Sequence, residues 1–300
     1  MAGRSKEPGY GEGILLVLGA TLLWSLSGLF VRELPALTGW QINCWRGLST
    51  GVCLIAFFVF IHRRNAIAEF RTLPLVAVLT ASGFFALGST LYVTSLTLAS
   101  TAVVSAIGAI APLFTALLAW VFAGERPGIV NLLAAGVALA GVAIIFNTGL
   151  TSGHWLGVLV SICVAFNFAG QTVSLRRFRA FDMVPAIAIG GFAVFVIAAV
   201  FGNGLDVPLR AIGGLALMGL VQLAIPLVMF IRGARIVPAV TASLIALLDA
   251  VLNPFWSFLA VNEVPERTTI IGGSIMVAAV AGAILASSRL RFGQPKVEPV

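Results

Sequence analysis

The chain alternates between long apolar runs and short polar connections, and the runs are about 20 residues each. A helix that crosses the hydrocarbon core of a bilayer needs about 20 mostly apolar residues, whereas a membrane β-strand reads as roughly ten residues of alternating polarity. The pattern therefore predicts helices throughout. Ten windows of span length stand out: 13–31, 41–61, 73–95, 101–123, 129–146, 153–174, 183–201, 209–230, 238–260 and 268–286. The expected fold class is an all-α integral membrane protein with ten transmembrane helices.

Composition agrees with the pattern. Of 300 residues 60% are hydrophobic and 10% charged, with a mean hydropathy of +1.08, too apolar for an ordinary soluble globule. The net charge of +7 comes from residues scattered over the connections, which form no single patch and argue against a nucleic-acid partner. With residues 1–12 inside, fourteen basic residues fall in cytoplasmic segments. Three fall outside (Arg32, Arg210 and Arg267), and Arg46 in a span completes the 18 Lys+Arg. The excess of basic residues on one side predicts that both termini are cytoplasmic. Residues 1–12 read as a polar leader and 287–300 as a cytoplasmic tail. A signal-peptide reading fits poorly, because the first apolar run is longer than a usual signal core and lacks an A-x-A exit.

Cys44 and Cys53 on one helix would stand about 13 Å apart at ~1.5 Å per residue, too far for a disulfide. No Cys or His spacing suggests a metal site, and no cofactor is expected. No cluster of Ser, His, Asp or Cys at a span end is spaced for nucleophilic or metal chemistry, so an enzyme is not expected.

The chain repeats itself weakly. Trp24, Ser25 and Gly28 align with Phe166, Asn167 and Gly170, and the segment from Ala111 to Pro127 aligns with that from Asp249 to Pro265, both copies ending in Glu-x-Pro. Two repeats, 13–146 and 153–286, would each hold five spans. An odd number of spans inverts the second copy relative to the first, and inverted repeats offer one opening per membrane face, as alternating access requires. Glu125 would then lie at the cytoplasmic end of span four and Glu263 at the external end of span nine.

Gly19-Ala20-Thr21-Leu22-Leu23-Trp24-Ser25, Trp45-Arg46-Gly47, the run from Ser95 through Pro112, Gly124-Glu125-Arg126, Asp249 through Trp256, and Glu263 together resemble the drug/metabolite transporter superfamily, specifically its EamA-type members. The resemblance covers nearly the whole chain. It implies a multi-pass protein of the inner (cytoplasmic) membrane. Within the family the chain looks most like bacterial exporters of aromatic and other neutral amino acids. The ninth span departs from the common Glu-Pro-Val-Leu-Ala-Pro pattern, with Asp249, Ala250 and Asn253 in place of the Glu, the first Pro and the Ala.

The candidate substrate-binding residues are polar or aromatic groups inside spans. An ionisable residue at the bilayer centre costs about 2.5–3.5 kcal/mol even on the lenient insertion scale, which makes it a functional candidate. Asp249 and Asn253 share a face at i, i+4, with Trp256 near it, and could bind an ammonium or take up a proton. Arg46, with Asn43 three residues earlier, could hold a carboxylate, or could pair with Asp249. Asn167 and Gln171 form another i, i+4 pair, and Gln222 adds a hydrogen-bonding amide. Trp24, Phe85, Tyr92 and Phe166 supply aromatic faces for apolar side chains and ammonium groups. Each also has a packing role open to it. Gly136–Gly141 and Gly272–Gly282 offer close helix approach, within the bundle or between protomers. Pro112, Pro226 and Pro254 would interrupt helices mid-span.

The expected activity is export of amino acids or related small metabolites through a cavity between the halves, with the bilayer as surroundings and a monomer as working unit. A proton-coupled exporter of cationic drugs or polyamines, with Asp249 as the exchange site, is the alternative.

Overall fold

The computed structural model describes residues 9–26, 37–98, 104, 107–146, 155–252, 255–256 and 267–292. All regular structure among them is helical, with no strand. The helices are α1 (Tyr10–Trp24), α2 (Gly39–His62), α3 (Ala66–Thr72), α4 (Leu75–Leu98), α5 (Ala111–Ala123), α6 (Ile129–Phe146), α7 (Trp155–Arg177) and α8 (Val184–Phe201). They continue as α9 (Leu209–Ile236), α10 (Ala239–Ala246) and α11 (Arg267–Phe292). By length and composition five helical stretches can cross a membrane: Gly39–Thr72, Leu75–Ser95, Trp155–Arg177, Val184–Phe201 and Leu209–Ile236. Five shorter apolar helices accompany them, and every apolar window of the sequence overlaps one helix of the set. Large apolar side chains point outward, Leu209 at 85% exposure and Phe60 at 74%, as they do where lipid is the solvent.

Local chemistry explains several helix ends. Thr38 and Gln41 form a capping box: the Gln41 amide donates to Thr38 Oγ1 (3.2 Å) and the Thr38 amide to Gln41 Oε1 (2.8 Å). Asp182 accepts from the Val184 amide (3.1 Å) ahead of α8 and meets His62 of α2 at 3.0 Å. Pro226 sits just after a π-helical turn, Gly219–Ala224, inside α9. A proline ring cannot donate and crowds the carbonyl four residues back, and widening the turn accommodates both. Pro112 behaves differently from expectation. It lies in the first turn of α5, where a missing amide removes no intrahelical bond, so it starts a helix and does not kink one. Pro254 lies outside the described residues.

The packing is reciprocal. Numbered after the ten apolar windows of the sequence, and called spans one to ten only in that sense, the helices are α1, α2, α4, α5, α6, α7, α8, α9, α10 and α11. Span two packs on span seven, span five on ten, and span four on nine; each pair maps onto itself when five is added to the first-half span. Span three packs on spans six and seven, while span eight packs on spans one and two. Span four packs on six, as nine does on one. The breaks in the helices correspond too. A turn at Ala109–Ile110 precedes α5, with the Ile110 amide bonded to Ile107 O; a turn at Leu247–Leu248 follows α10, with those amides bonded to Leu244 O and Ile245 O. Both turns stand immediately before the aligned residues Ala111 and Asp249.

Small residues allow the self-mapping pairs to approach. A side chain at Gly191 of α8 would meet Gly47 O and Gly51 N of α2 at 3.0 Å, and one at Gly141 of α6 would meet Gly272 O of α11 at 2.7 Å. The small-residue runs thus serve contacts within the bundle at Gly141 and Gly272, whereas Gly136 and Gly282 have open space beside them. Gly191→Val should destabilise the protein by about 1–3 kcal/mol through overpacking, seen as a lower Tm in detergent, while Gly136→Val should leave Tm nearly unchanged.

Candidate functional site

The polar residues of spans one, two, three and eight converge. From α2, Arg46 donates through Nη2 to Asn43 Oδ1 at 2.6 Å and through Nη1 to Gln222 Oε1 at 3.5 Å. Asn43 donates in turn to Ser89 O of α4 (3.0 Å), and the Ser89 hydroxyl returns a bond to Asn43 Oδ1 (3.1 Å). Gln222 occupies the π-helical turn and donates through Nε2 to Trp24 O at the end of α1 (3.3 Å). The same turn accepts from Thr50: its hydroxyl reaches Gly219 O at 3.3 Å. Arg46 is therefore oriented by two neutral amides. Its Nε is buried with no hydrogen-bond partner among the described residues. The ion pairs among those residues, His62–Asp182 and Arg176–Glu125, lie elsewhere.

Tyr92 lies close enough to Arg46 and Asp249 to sense charge on both. All three are deep inside the protein, surrounded by its atoms. Even so, Tyr92 keeps 39% of its surface accessible, and Arg46 and Asp249 are only half-buried. Asp249 directly follows the Leu247–Leu248 turn, where the helix tightens from i→i−4 to i→i−3 bonding.

Aromatic rings join several of these helices. Trp24 stacks tilted on Phe230 with centroids 5.0 Å apart and edge-on to Phe168 at 6.5 Å, joining spans one, six and eight. Trp256 donates from its indole to Ser25 Oγ at 2.7 Å, tying span nine to the end of span one. Phe166 meets Phe114 edge-on at 5.6 Å. Asn167 is buried, with Oδ1 against Gly88 and no hydrogen-bond partner among the described residues. Gln171 is half-buried one turn further on. Phe85, like Phe230, is buried in the core, and it packs against Gly190 of α8, so it serves the contact between spans three and seven. Asn253 and Glu263 lie outside the described residues. Ser25 and Phe230, neither of them a sequence candidate, stand beside the candidates. Ser25 was recognisable in the Trp24-Ser25 motif, but its bond to Trp256 was not.

A bundle of long apolar helices with outward-facing apolar side chains and ionisable and aromatic groups inside it is the build of a multi-pass membrane protein. The sequence profile of the EamA-like transporter family matches this chain twice, at residues 11–147 and 151–285, and the chain belongs to that family. It is 27% identical over 288 residues to the pseudopaline exporter CntI of Pseudomonas aeruginosa, covering 94% of this chain and 98% of that one. It is 24% identical over 276 residues to the uncharacterized transporter YdfC of Bacillus subtilis, covering 89% of each. A crystal structure of a protein 19% identical to it superposes with a TM-score of 0.79 over 93% of this chain and 99% of the other, a likeness of fold.

Asn43→Ala would leave Arg46 Nη2 and Ser89 without their acceptor. Thermal unfolding in detergent should show a loss of about 1–3 kcal/mol, the range for an unsatisfied buried group, whereas Gln171→Ala should be milder.

Proposed function

We propose that the chain is an alternating-access exporter of amino acids or closely related small zwitterions. In this reading ten helices cross the cytoplasmic membrane as two inverted five-helix repeats, 13–146 and 153–286, with both termini cytoplasmic. The reciprocal contacts of spans n and n+5, together with the matching turns before Ala111 and Asp249, support the inverted repeat. The twofold family match supports the repetition. Interrupted helices at corresponding points of two repeats are where transporters of this construction place substrate.

The observation that carries the substrate class is that a base, Arg46, and an acid, Asp249, both lie near Tyr92 inside the bundle, where this reading puts the cavity. A guanidinium aligned by neutral amides keeps its charge available, and with Nε still a donor it suits a carboxylate. Asp249 and the faces of Tyr92 and Trp24 suit an ammonium, and the Trp24–Phe168–Phe230 wall suits an apolar or aromatic side chain. Trp256, Gln222, Phe166, Asn167 and Gln171 complete the proposed lining, and Asn253 is included from the sequence alone. Export as the direction is supported by the name of the pseudopaline exporter among its relatives.

The test is counterflow in liposomes with a panel of labelled amino acids and, separately, polyamines and cationic dyes. Neutral and aromatic amino acids should exchange. Arg46→Gln should reduce that exchange about ten- to hundredfold, the equivalent of losing charge-assisted bonds of about 1.5–3 kcal/mol. A folded protein that moves no amino acid under any gradient would sink the reading. Proton-driven movement of cations that disappears in Asp249→Asn would support the cationic exporter in its place.

A further inference from the structure

A second polar network closes the bundle at the end of α5, away from the cavity residues. Gly124 takes a left-handed conformation (φ 67°) and the Glu125 amide bonds back to Ala119 O at 3.1 Å, which turns the carboxylate of Glu125 toward the other half. There it accepts from Arg176 Nε at the end of α7 and, through Oε2, from the Ala239 amide that begins α10 (3.2 Å). Arg176, 6% exposed, also donates through Nη1 to Arg235 O (2.6 Å) and Ala234 O (3.4 Å), the carbonyl end of α9. Arg177 donates to Phe122 O of α5, and Arg235 Nε to Arg179 O at 2.7 Å. One ion pair thus holds together the ends of spans four, six and eight and the start of span nine.

Each charge suits the helix end it meets. The carboxylate lies at a helix N-terminus and the guanidinium at a helix C-terminus, both favourable to the backbone dipoles. Beneath the pair, Ala119, Val173 and Ala239 form a buried apolar cluster with Leu118 and Ala123 alongside, which seals the path inward. Two of the helices tied here, α5 and α10, are those with turns beside Ala111 and Asp249.

We propose that Glu125 and Arg176 form the gating pair of this mouth, and that the structure is the conformation closed on the Glu125 side. The proposal rests on the alternating-access reading. Glu125 retains 26% exposure of its side chain, so water can take over both partners when the mouth opens. An ion pair at a wet edge exchanges for hydration at small net change, which a gate requires and a dry core contact would not permit. Entry of substrate from this side would require Glu125 to leave Arg176 and the Ala239 amide together.

The test replaces Cys44, Cys53 and Cys163 and places a reporter cysteine in the cavity as Tyr92→Cys. Labelling by a charged, membrane-impermeant thiol reagent is timed from each side of oriented vesicles. Glu125→Gln and Arg176→Gln should each speed labelling from the Glu125 side by about tenfold or more and slow it from the opposite side, since opening one mouth closes the other. Rates unchanged on both sides, or raised on both as in general loosening, would overturn the proposal. A reciprocal change without counterflow of any amino acid would uphold the gate and count against the substrate reading alone. If the variants fail to fold, hydrogen exchange on the unmutated protein decides. The Ala239 amide, which has no intrahelical acceptor, should be protected as well as interior amides of α10, and fast exchange there would contradict the pair.

Discussion

A guanidinium several residues inside an apolar helix has no water to turn to, and the surroundings of Arg46 are arranged around that fact. Polar groups in hydrocarbon must be satisfied by the protein or by an internal aqueous space. Asn43 holds one arm of Arg46 and is itself held by Ser89; Gln222 holds the other and is itself tied to the Trp24 carbonyl. The π-helical turn that Pro226 favours brings Gln222 into that position. Groups from four spans in both halves are therefore fixed in relation to one charge.

The end of the bundle near Glu125 solves the same problem differently. There the charges neutralise one another and the helix ends around them, with an apolar seal below. The contrast fits a division of labour. The centre offers a charge aligned by neutral groups, suited to binding, and the edge offers a compensated pair that hydration can replace, suited to opening. Helix α9 connects the two regions, because it carries Gln222 at the centre and the Ala234 and Arg235 carbonyls at the edge.

Much of the fold could be read in the sequence, because bilayer thickness imposes a length on apolar runs. The windows for spans two, five and seven agree with helices α2, α6 and α8 to within two residues at each end. The alignment of Ala111 with Asp249 anticipated equivalent points, though not that both helices break there: in the second copy the turn lies at Leu247–Leu248, ahead of the Pro254 to which an interruption had been assigned. The site was legible as residue types. Arg46 with Asn43 followed from i, i+3 spacing, but Gln222 and Ser25 meet their partners across 176 and 231 residues, which no local periodicity encodes. Phe85 shows the limit of aromatic composition: it packs in the core against Gly190 of the facing helix, a contact that no spacing within its own span encodes. Arg176 and Glu125 read as topology markers because their pairing spans 51 residues and two halves.

The central claim is that Arg46 receives the carboxylate of a zwitterionic substrate. It is tested most directly by the heat stability of the purified protein with an aromatic amino acid and, in parallel, with the amine that lacks only its carboxylate. A ligand that binds the folded state at a hundredfold excess over Kd stabilises it by about 2.7 kcal/mol. The amino acid should raise Tm and the amine should not, and Arg46→Gln should abolish the difference; stabilisation by the amine alone would contradict the account.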